Sequence, residues 1–150
     1  VDAFATYLDR HSQLAVKRAA DGMPLVAGTC YLASAFERIE VNEQGGKLTL
    51  DLESKADPTP GQACDALMTS LSATLSERAS GILLSGIGDD GITGIGAILK
   101  GGGNAIIQDP KTCLCNDTTA ITAQQFGLPT VLPGVAMAEA IRTHCLDSSL

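Results

Sequence analysis

The sequence lacks tryptophan, has only 3% aromatic residues, and contains no apolar run of membrane-spanning length. With so few aromatics, we expect a core of Leu, Ile, Val and Ala, and 150 residues with 45% hydrophobic content are enough to form one. A transmembrane helix needs about 20 consecutive apolar residues, so membrane insertion is not expected. No basic region followed by an apolar stretch opens the chain, so no signal peptide is predicted.

Clustered positive charge is also missing. The chain has 10 Lys and Arg against 17 Asp and Glu, a net charge of −7, and its basic residues are scattered. This balance argues against binding to nucleic acid or to anionic membranes.

The cysteines do not form a recognisable disulfide or metal pattern. Their number is odd and their spacing irregular: Cys30, Cys64, Cys113, Cys115 and Cys145. In a chain able to form its own core, this predicts buried free thiols and a reducing compartment such as the cytoplasm. Cys113 and Cys115 could be half of a metal site, but no second pair or nearby histidine completes it, so no metal is predicted.

Helices and strands are predicted to alternate from residue 62 onward. The helices are predicted near residues 64–75, 92–99, 117–125 and 135–144, and the strands at 82–84, 104–108 and 130–132. This alternation predicts an α/β fold with a doubly wound, mainly parallel sheet and helices on both faces.

The first half of the chain adds smaller elements. We predict a helix over residues 2–12, short strands at 14–16 and 29–33, and a loop at 53–61. Residues 38–41 and 47–52 alternate apolar and polar side chains around NEQGG, which predicts a small antiparallel hairpin. His11 shares a helical face with Phe4, Tyr7 and Leu8, so we expect it to be a partly buried packing residue.

A glycine-rich turn joins the first apolar strand of this second half to the next helix. It reads Gly86-Ile87-Gly88-Asp89-Asp90-Gly91. The G-x-G-x-x-G spacing is typical of dinucleotide sites, with Asp109 placed as a ribose-binding acid. However, two carboxylates would repel a pyrophosphate by about 1 kcal/mol each in water at about 4 Å, and no Arg or Lys in the turn offsets this. A dinucleotide-binding domain is therefore the weaker alternative.

The same turn fits a different use of a carboxylate. An aspartate at the carboxyl edge of a parallel sheet can hold and orient a histidine, as the third member of a Ser-His-Asp triad. Alternatively, Asp89 or Asp90 only caps the helix that follows. The spacing alone leaves both interpretations open.

Several segments resemble one family. Residues 85–91 read SGIGDDG, residues 102–103 are a glycine pair, and residues 107–113 read IQDPKTC. They resemble the T-G-M-G-x-D-G turn, the glycine pair and the A-Q-(D/N)-x-x-(S/T)-C strand end in the catalytic domain of CheB, the chemotaxis protein-glutamate methylesterase. Residues 4–33 also follow the family pattern without a gap, and residues 64–67 stand at its V-D-x-L helix start.

The resemblance implies hydrolysis of glutamate methyl esters on receptors and deamidation of receptor glutamines, by serine-hydrolase chemistry with no cofactor. Asp90 is implied as the catalytic aspartate, within an active-site turn formed by Gly86, Ile87, Gly88 and Gly91. The family's serine motif S-(T/S)-G-G and histidine motif Q-H-M-P are expected upstream of residue 1.

Residues 1–150 are therefore expected to form a single CheB-type domain that lacks its first strand or strands. The implied partners are the cytoplasmic domain of a methylated chemoreceptor and an upstream receiver domain, and the implied compartment is the cytoplasm. The isolated chain is predicted to be inactive. An uncovered sheet edge would favour self-association.

The chain departs from the family pattern at three positions. Residues 34–38 replace P-G-x-x-H, Ile87 replaces the methionine of the turn, and residues 116–119 replace the segment with G-M-P. These departures favour a second hypothesis, a catalytically degenerate CheB-like domain with a regulatory or scaffolding role.

Overall fold

A computed structural model of the chain describes residues 1–54, 62–127 and 129–147. Its helices are α1 (Asp2–His11), α2 (Ala63–Leu75), α3 (Ile92–Lys100), α4 (Asp117–Phe126) and α5 (Gly134–Asp147). Its strands are β1 (Ala15–Arg18), β2 (Thr29–Leu32), β3 (Glu37–Gln44), β4 (Lys47–Ser54), β5 (Ser80–Leu83), β6 (Asn104–Gln108) and β7 (Thr130–Leu132). The predicted loop at residues 53–61 lies largely outside the described residues.

The predicted α/β class with parallel strands and a small antiparallel hairpin is confirmed. Strands β5, β6 and β7 form a three-stranded parallel sheet in that order, and β1 and β2 form a separate parallel pair. Strands β3 and β4 pair antiparallel around Gly45 and Gly46. Strand β3 extends further toward the turn than predicted, whereas β4 begins at the predicted residue and ends two residues later.

Helices cover both faces of the three-stranded sheet. Successive side chains of β6 point to opposite faces, so each face presents apolar side chains to a helix. Ala105 and Ile107 join the core that contains Ile95 and Ile98 of α3. Ile106, between them in the strand, lines a cavity of about 510 Å³ beside α5. Helix α2 packs against both α3 and the hairpin, and so links the sheet to the N-terminal half.

Helix α1 forms where predicted, but its predicted packing face is wrong. It buries Ala5, whereas Phe4 and Tyr7 are 58% and 57% exposed. His11 is exposed as well, with its ring stacked on Tyr7 at 4.4 Å between centroids. The helical spacing identifies residues on one face, but only a neighbouring element can bury that face. The neighbouring strand β1 contacts α1 and leaves Phe4 and Tyr7 exposed.

Two smaller outcomes complete the fold. Asp117 is the first residue of α4 rather than its cap, a position taken by Asn116. Among the described helices, none combines the length and the hydropathy needed to cross a bilayer.

Candidate functional site

The glycine turn lies between β5 and α3, at the carboxyl edge of the parallel sheet, as the sequence predicts. Two residues of the turn have left-handed backbone conformations, Gly88 with φ of 93° and Gly91 with φ of 101°. Glycine adopts such conformations without the Cβ clash that other residues incur. The chain can therefore reverse direction within a few residues and present the intervening carboxylates at the sheet edge.

The Asp90 carboxylate is held by the N-terminus of another helix, α2. Its Oδ2 accepts a hydrogen bond from the Cys64 amide at 3.2 Å, and its Oδ1 accepts one from the Asp65 amide at 3.0 Å. These amides belong to the first turn of α2, where backbone donors have no partner within the helix and the dipole favours a negative charge. Asp90 does act as a helix cap, but for α2 rather than for α3.

The adjacent Asp89 has a different environment. Its side chain is exposed, whereas Asp90 is partly buried. A carboxylate accepts about four hydrogen bonds, so the two amides bonded to Asp90 leave acceptor capacity for an imidazole N–H. Of the two carboxylates in the turn, Asp90 is the one with a fixed position.

Asp65 binds the turn in the opposite direction. Its Oδ1 accepts hydrogen bonds from the amides of Gly91 at 2.9 Å and of Gly94 at 2.7 Å, both at the start of α3. Those amides are the donors that a pyrophosphate would need at this helix N-terminus. Because Asp65 occupies them, the geometry does not support the dinucleotide alternative.

The Cys64 thiol lies beside the same carboxylates. Partial desolvation, the charge of Asp90, a hydrogen bond to Asp90 and the charge of Asp65 together raise the pKa of this thiol to about 11, with desolvation the largest cause. The thiol is therefore protonated at neutral pH. Cys64 is exposed, so its predicted burial is wrong, while the other described cysteines are partly buried free thiols.

Hydrogen bonds tie the glycine turn to the loop that follows β6. Ser85 Oγ donates to the Cys115 carbonyl at 3.0 Å and accepts from the Cys115 amide at 3.0 Å. The Gly86 amide donates to the same carbonyl, and Thr118 Oγ1 donates to the Gly88 carbonyl at 2.8 Å. The start of the glycine turn is therefore in direct contact with residues 115–118, which lie about 30 positions later in the sequence.

Exposed apolar side chains surround the turn. Leu84 is 58% exposed, Ile87 is 77% exposed and Leu114 is 96% exposed. Single exposed apolar residues are common, but here three lie on two loops that are hydrogen-bonded to each other.

The other residues considered in the sequence lie elsewhere. Asp109 Oδ1 accepts from the Lys111 amide at 3.0 Å and caps a short 3-10 turn. His11 Nδ1 is bonded to the Tyr7 carbonyl within α1. The sequence has one other histidine, His144, whose side chain lies outside the described residues. No described histidine accompanies Asp90. Within the ranges described, no group of three or more His, Cys, Asp and Glu side chains is arranged to hold a metal ion.

Sequence reasoning missed the role of Asp65. Its only signal was an acidic residue in the first turn of α2, where a carboxylate ordinarily acts on its own helix. Nothing in the sequence indicated that the carboxylate instead reaches α3, which begins 27 positions later along the chain.

Comparisons with known proteins agree on one family. The family model described as CheB methylesterase matches residues 1–141. The chain is 34% identical over 143 residues to a protein-glutamate methylesterase/protein-glutamine glutaminase of Carboxydothermus hydrogenoformans, covering 93% of the chain and 42% of that protein. It is 30% identical over 139 residues to one from Oleidesulfovibrio alaskensis, covering 92% of the chain and 35% of that protein.

A solved structure shows the same fold. The catalytic domain of the CheB methylesterase of Thermotoga maritima superposes with a TM-score of 0.84 at 24% identity, covering 93% of this chain and 74% of that domain. The chain thus spans less than half the length of the two relatives named above, but most of this domain.

Proposed function

This chain belongs to the CheB methylesterase family, and from that premise we propose that it is part of a protein-glutamate methylesterase and glutamine deamidase, with Asp90 as the aspartate of its catalytic triad. The observation that supports this most strongly is the fixed position of the Asp90 carboxylate. Two backbone amides of α2 hold it at the carboxyl edge of the parallel sheet.

In the proposed reaction, a serine hydroxyl attacks the methyl ester carbonyl of a receptor glutamate. A histidine takes the serine proton and later donates it to the departing methoxide, which leaves as methanol. Water then hydrolyses the acyl-serine ester and regenerates the serine. Asp90 accepts the other imidazole N–H, fixes its tautomer and stabilises the imidazolium. For a glutamine substrate, the leaving group is ammonia.

The serine and the histidine of this triad are proposed to lie in sequence upstream of residue 1, together with one or more strands. Support comes from the sheets. In the described residues, β5 pairs only with β6, and β1 and β2 form a separate sheet. Parallel sheets are normally covered on both faces and built of several neighbouring strands, so we propose that the further strands pair along the edge of β5 opposite β6. The exposed Phe4 and Tyr7 are also suited to contact with further chain.

The substrate is proposed to be the cytoplasmic domain of a methylated chemoreceptor, and the compartment the cytoplasm. An upstream receiver domain is proposed as the regulatory partner. If the edge of β5 opposite β6 is uncovered in the isolated chain, two copies should pair through it. Sedimentation of the isolated chain as a clean monomer would count against that self-association.

The test is methanol release from methyl-labelled receptor membranes. The parent protein, containing the upstream serine and histidine motifs, should release methanol, whereas the isolated 150-residue chain should not. Absence of turnover by the parent would favour the degenerate regulatory hypothesis suggested by Ile87 and the other departures. Turnover by the isolated chain would show that its nucleophile and base lie within residues 1–150.

A further inference from the structure

Helices α2 and α3 cap each other through two aspartates. Asp90, just before α3, accepts from the Cys64 and Asp65 amides of α2. Asp65, in the first turn of α2, accepts from the Gly91 and Gly94 amides of α3. The arrangement contains four bonds to backbone donors, and each carboxylate takes two of them.

The bond to Gly91 restrains the backbone from which the Asp90 side chain projects. The Gly91 amide belongs to the peptide unit that joins Asp90 to Gly91, so its orientation is coupled to the backbone of Asp90. With glycines at 88 and 91, this segment has few steric restraints of its own. Asp65 adds a restraint on this peptide, since its Oδ1 lies 2.9 Å from the Gly91 nitrogen. It acts beside the bond from the Ile92 amide to the Asp89 carbonyl.

The second bond of Asp65 anchors this restraint to a rigid part of the fold. Gly94 is buried, and a Cβ added there would lie 2.7 Å from Met68 Cβ and 3.2 Å from the Cα of Asp65. Helices α2 and α3 are thus in backbone contact at this point. Because the Asp65 carboxylate is bonded to the amides of both Gly91 and Gly94, it restrains the turn relative to the packed helices α2 and α3.

We propose that Asp65 is a positioning residue for the hydrolytic reaction, acting by holding the Asp90–Gly91 peptide so that the Asp90 carboxylate meets the imidazole of the triad histidine. This inference rests on the proposed function. Asp65 itself touches neither substrate nor reacting atoms in this account. Charge-assisted bonds to backbone amides are short and strong enough for such a role.

The experiment uses the full-length parent protein and methyl-labelled receptor. Asp65→Ala removes both bonds to α3, and we expect kcat to fall by about 10- to 100-fold, the loss typical of a reacting group displaced by about 1 Å, with KM nearly unchanged. Asp65→Asn keeps an acceptor oxygen at the same place, so it should recover most of the lost kcat. Asp65→Glu moves that oxygen by one methylene and should be impaired although its charge is retained.

A double variant separates positioning from general destabilisation. If Asp65 acts through Asp90, adding Asp65→Ala to Asp90→Asn should cause no further loss of kcat, because the interaction it supports is already gone. Asp21→Ala is the matched control, since Asp21 Oδ1 likewise accepts a backbone amide, that of Leu52 at 3.0 Å in the hairpin. The control should lower stability and leave kcat within about twofold of wild type.

The outcomes distinguish the two proposals. If Asp90→Asn is impaired while Asp65→Ala and Asp65→Glu keep wild-type kcat, the positioning role is wrong and the proposed function survives. The positioning role would also be wrong if the kcat losses of Asp65→Ala and Asp90→Asn multiplied in the double variant. It would likewise be wrong if Asp21→Ala lowered kcat as much as Asp65→Ala does. Full activity of Asp90→Asn would refute the triad assignment, and the positioning role with it. Should Asp65→Ala fail to fold, the comparison of Asp65→Asn with Asp65→Glu decides.

Discussion

Gly91→Ala should be one of the most destabilising single-methyl additions in the turn. Gly91 has φ of 101°, and its added Cβ would lie 2.7 Å from Cδ2 of Leu83. The left-handed conformation costs an alanine about 1–2 kcal/mol. Leu83 is 7% exposed, so moving its side chain within a packed core adds about 1–3 kcal/mol. The free energy of unfolding should therefore fall by roughly 2–5 kcal/mol.

Gly88→Ala is the matched control for this prediction. Gly88 has φ of 93°, but no atom lies within 4 Å of its added Cβ. Its cost should be the conformational part alone, about 1–2 kcal/mol. Urea unfolding followed by circular dichroism measures the free energy of unfolding of both variants. The dependence of that free energy on urea concentration should be unchanged. If Gly91→Ala were no more destabilising than Gly88→Ala, the proposed contact with Leu83 would be wrong.

Two further predictions concern ionisable groups. At pH 8, a pKa near 11 leaves roughly a hundredfold less thiolate than a pKa near 9, so iodoacetamide should modify Cys64 slowly. Asp90→Asn removes a neighbouring negative charge and should accelerate this modification. Equal rates in the two proteins, measured by peptide mapping, would contradict the contact between Cys64 and Asp90. A hydrogen bond from Arg18 holds the pKa of Glu37 below its usual value, so the stability that this carboxylate contributes is present at neutral pH and is lost in acid, as the pH falls through the lowered pKa. Glu37→Gln should therefore cost about 1–2 kcal/mol at pH 7 and progressively less in acid, whereas a deficit independent of pH would exclude the ion pair as its cause.

Much of the fold could be predicted because each main element has a periodic apolar pattern. Helix α2 follows from the spacing of Leu67, Met68, Leu71 and Leu75, and β6 from its continuous apolar run. The separation of β1 and β2 from the other parallel strands could not be predicted, because strand order depends on long-range pairing. The burial of α1 also failed as a prediction, since the spacing of Phe4 and Tyr7 does not reveal which face meets β1.

The sequence predicts where the glycine turn lies in the fold, but not which groups its carboxylates are hydrogen-bonded to. The glycine spacing and the resemblance directed attention to Asp90, and the turn lies at the sheet edge as expected. The partner helix of Asp90 could not be read from the sequence, because capping usually involves the helix that follows the aspartate. Only the packing of α2 against α3 shows that the caps are exchanged between Asp65 and Asp90.

The role of Asp90 is tested most directly by methanol release from methylated receptor, comparing Asp90→Asn with Asp89→Asn in the full-length parent protein. Both changes neutralise one carboxylate in the same turn. We predict that Asp90→Asn lowers kcat by about 10⁴-fold, as expected for loss of a triad aspartate, and that Asp89→Asn stays within about twofold of wild type. Wild-type turnover in Asp90→Asn, or an equal loss in both variants, would contradict the account.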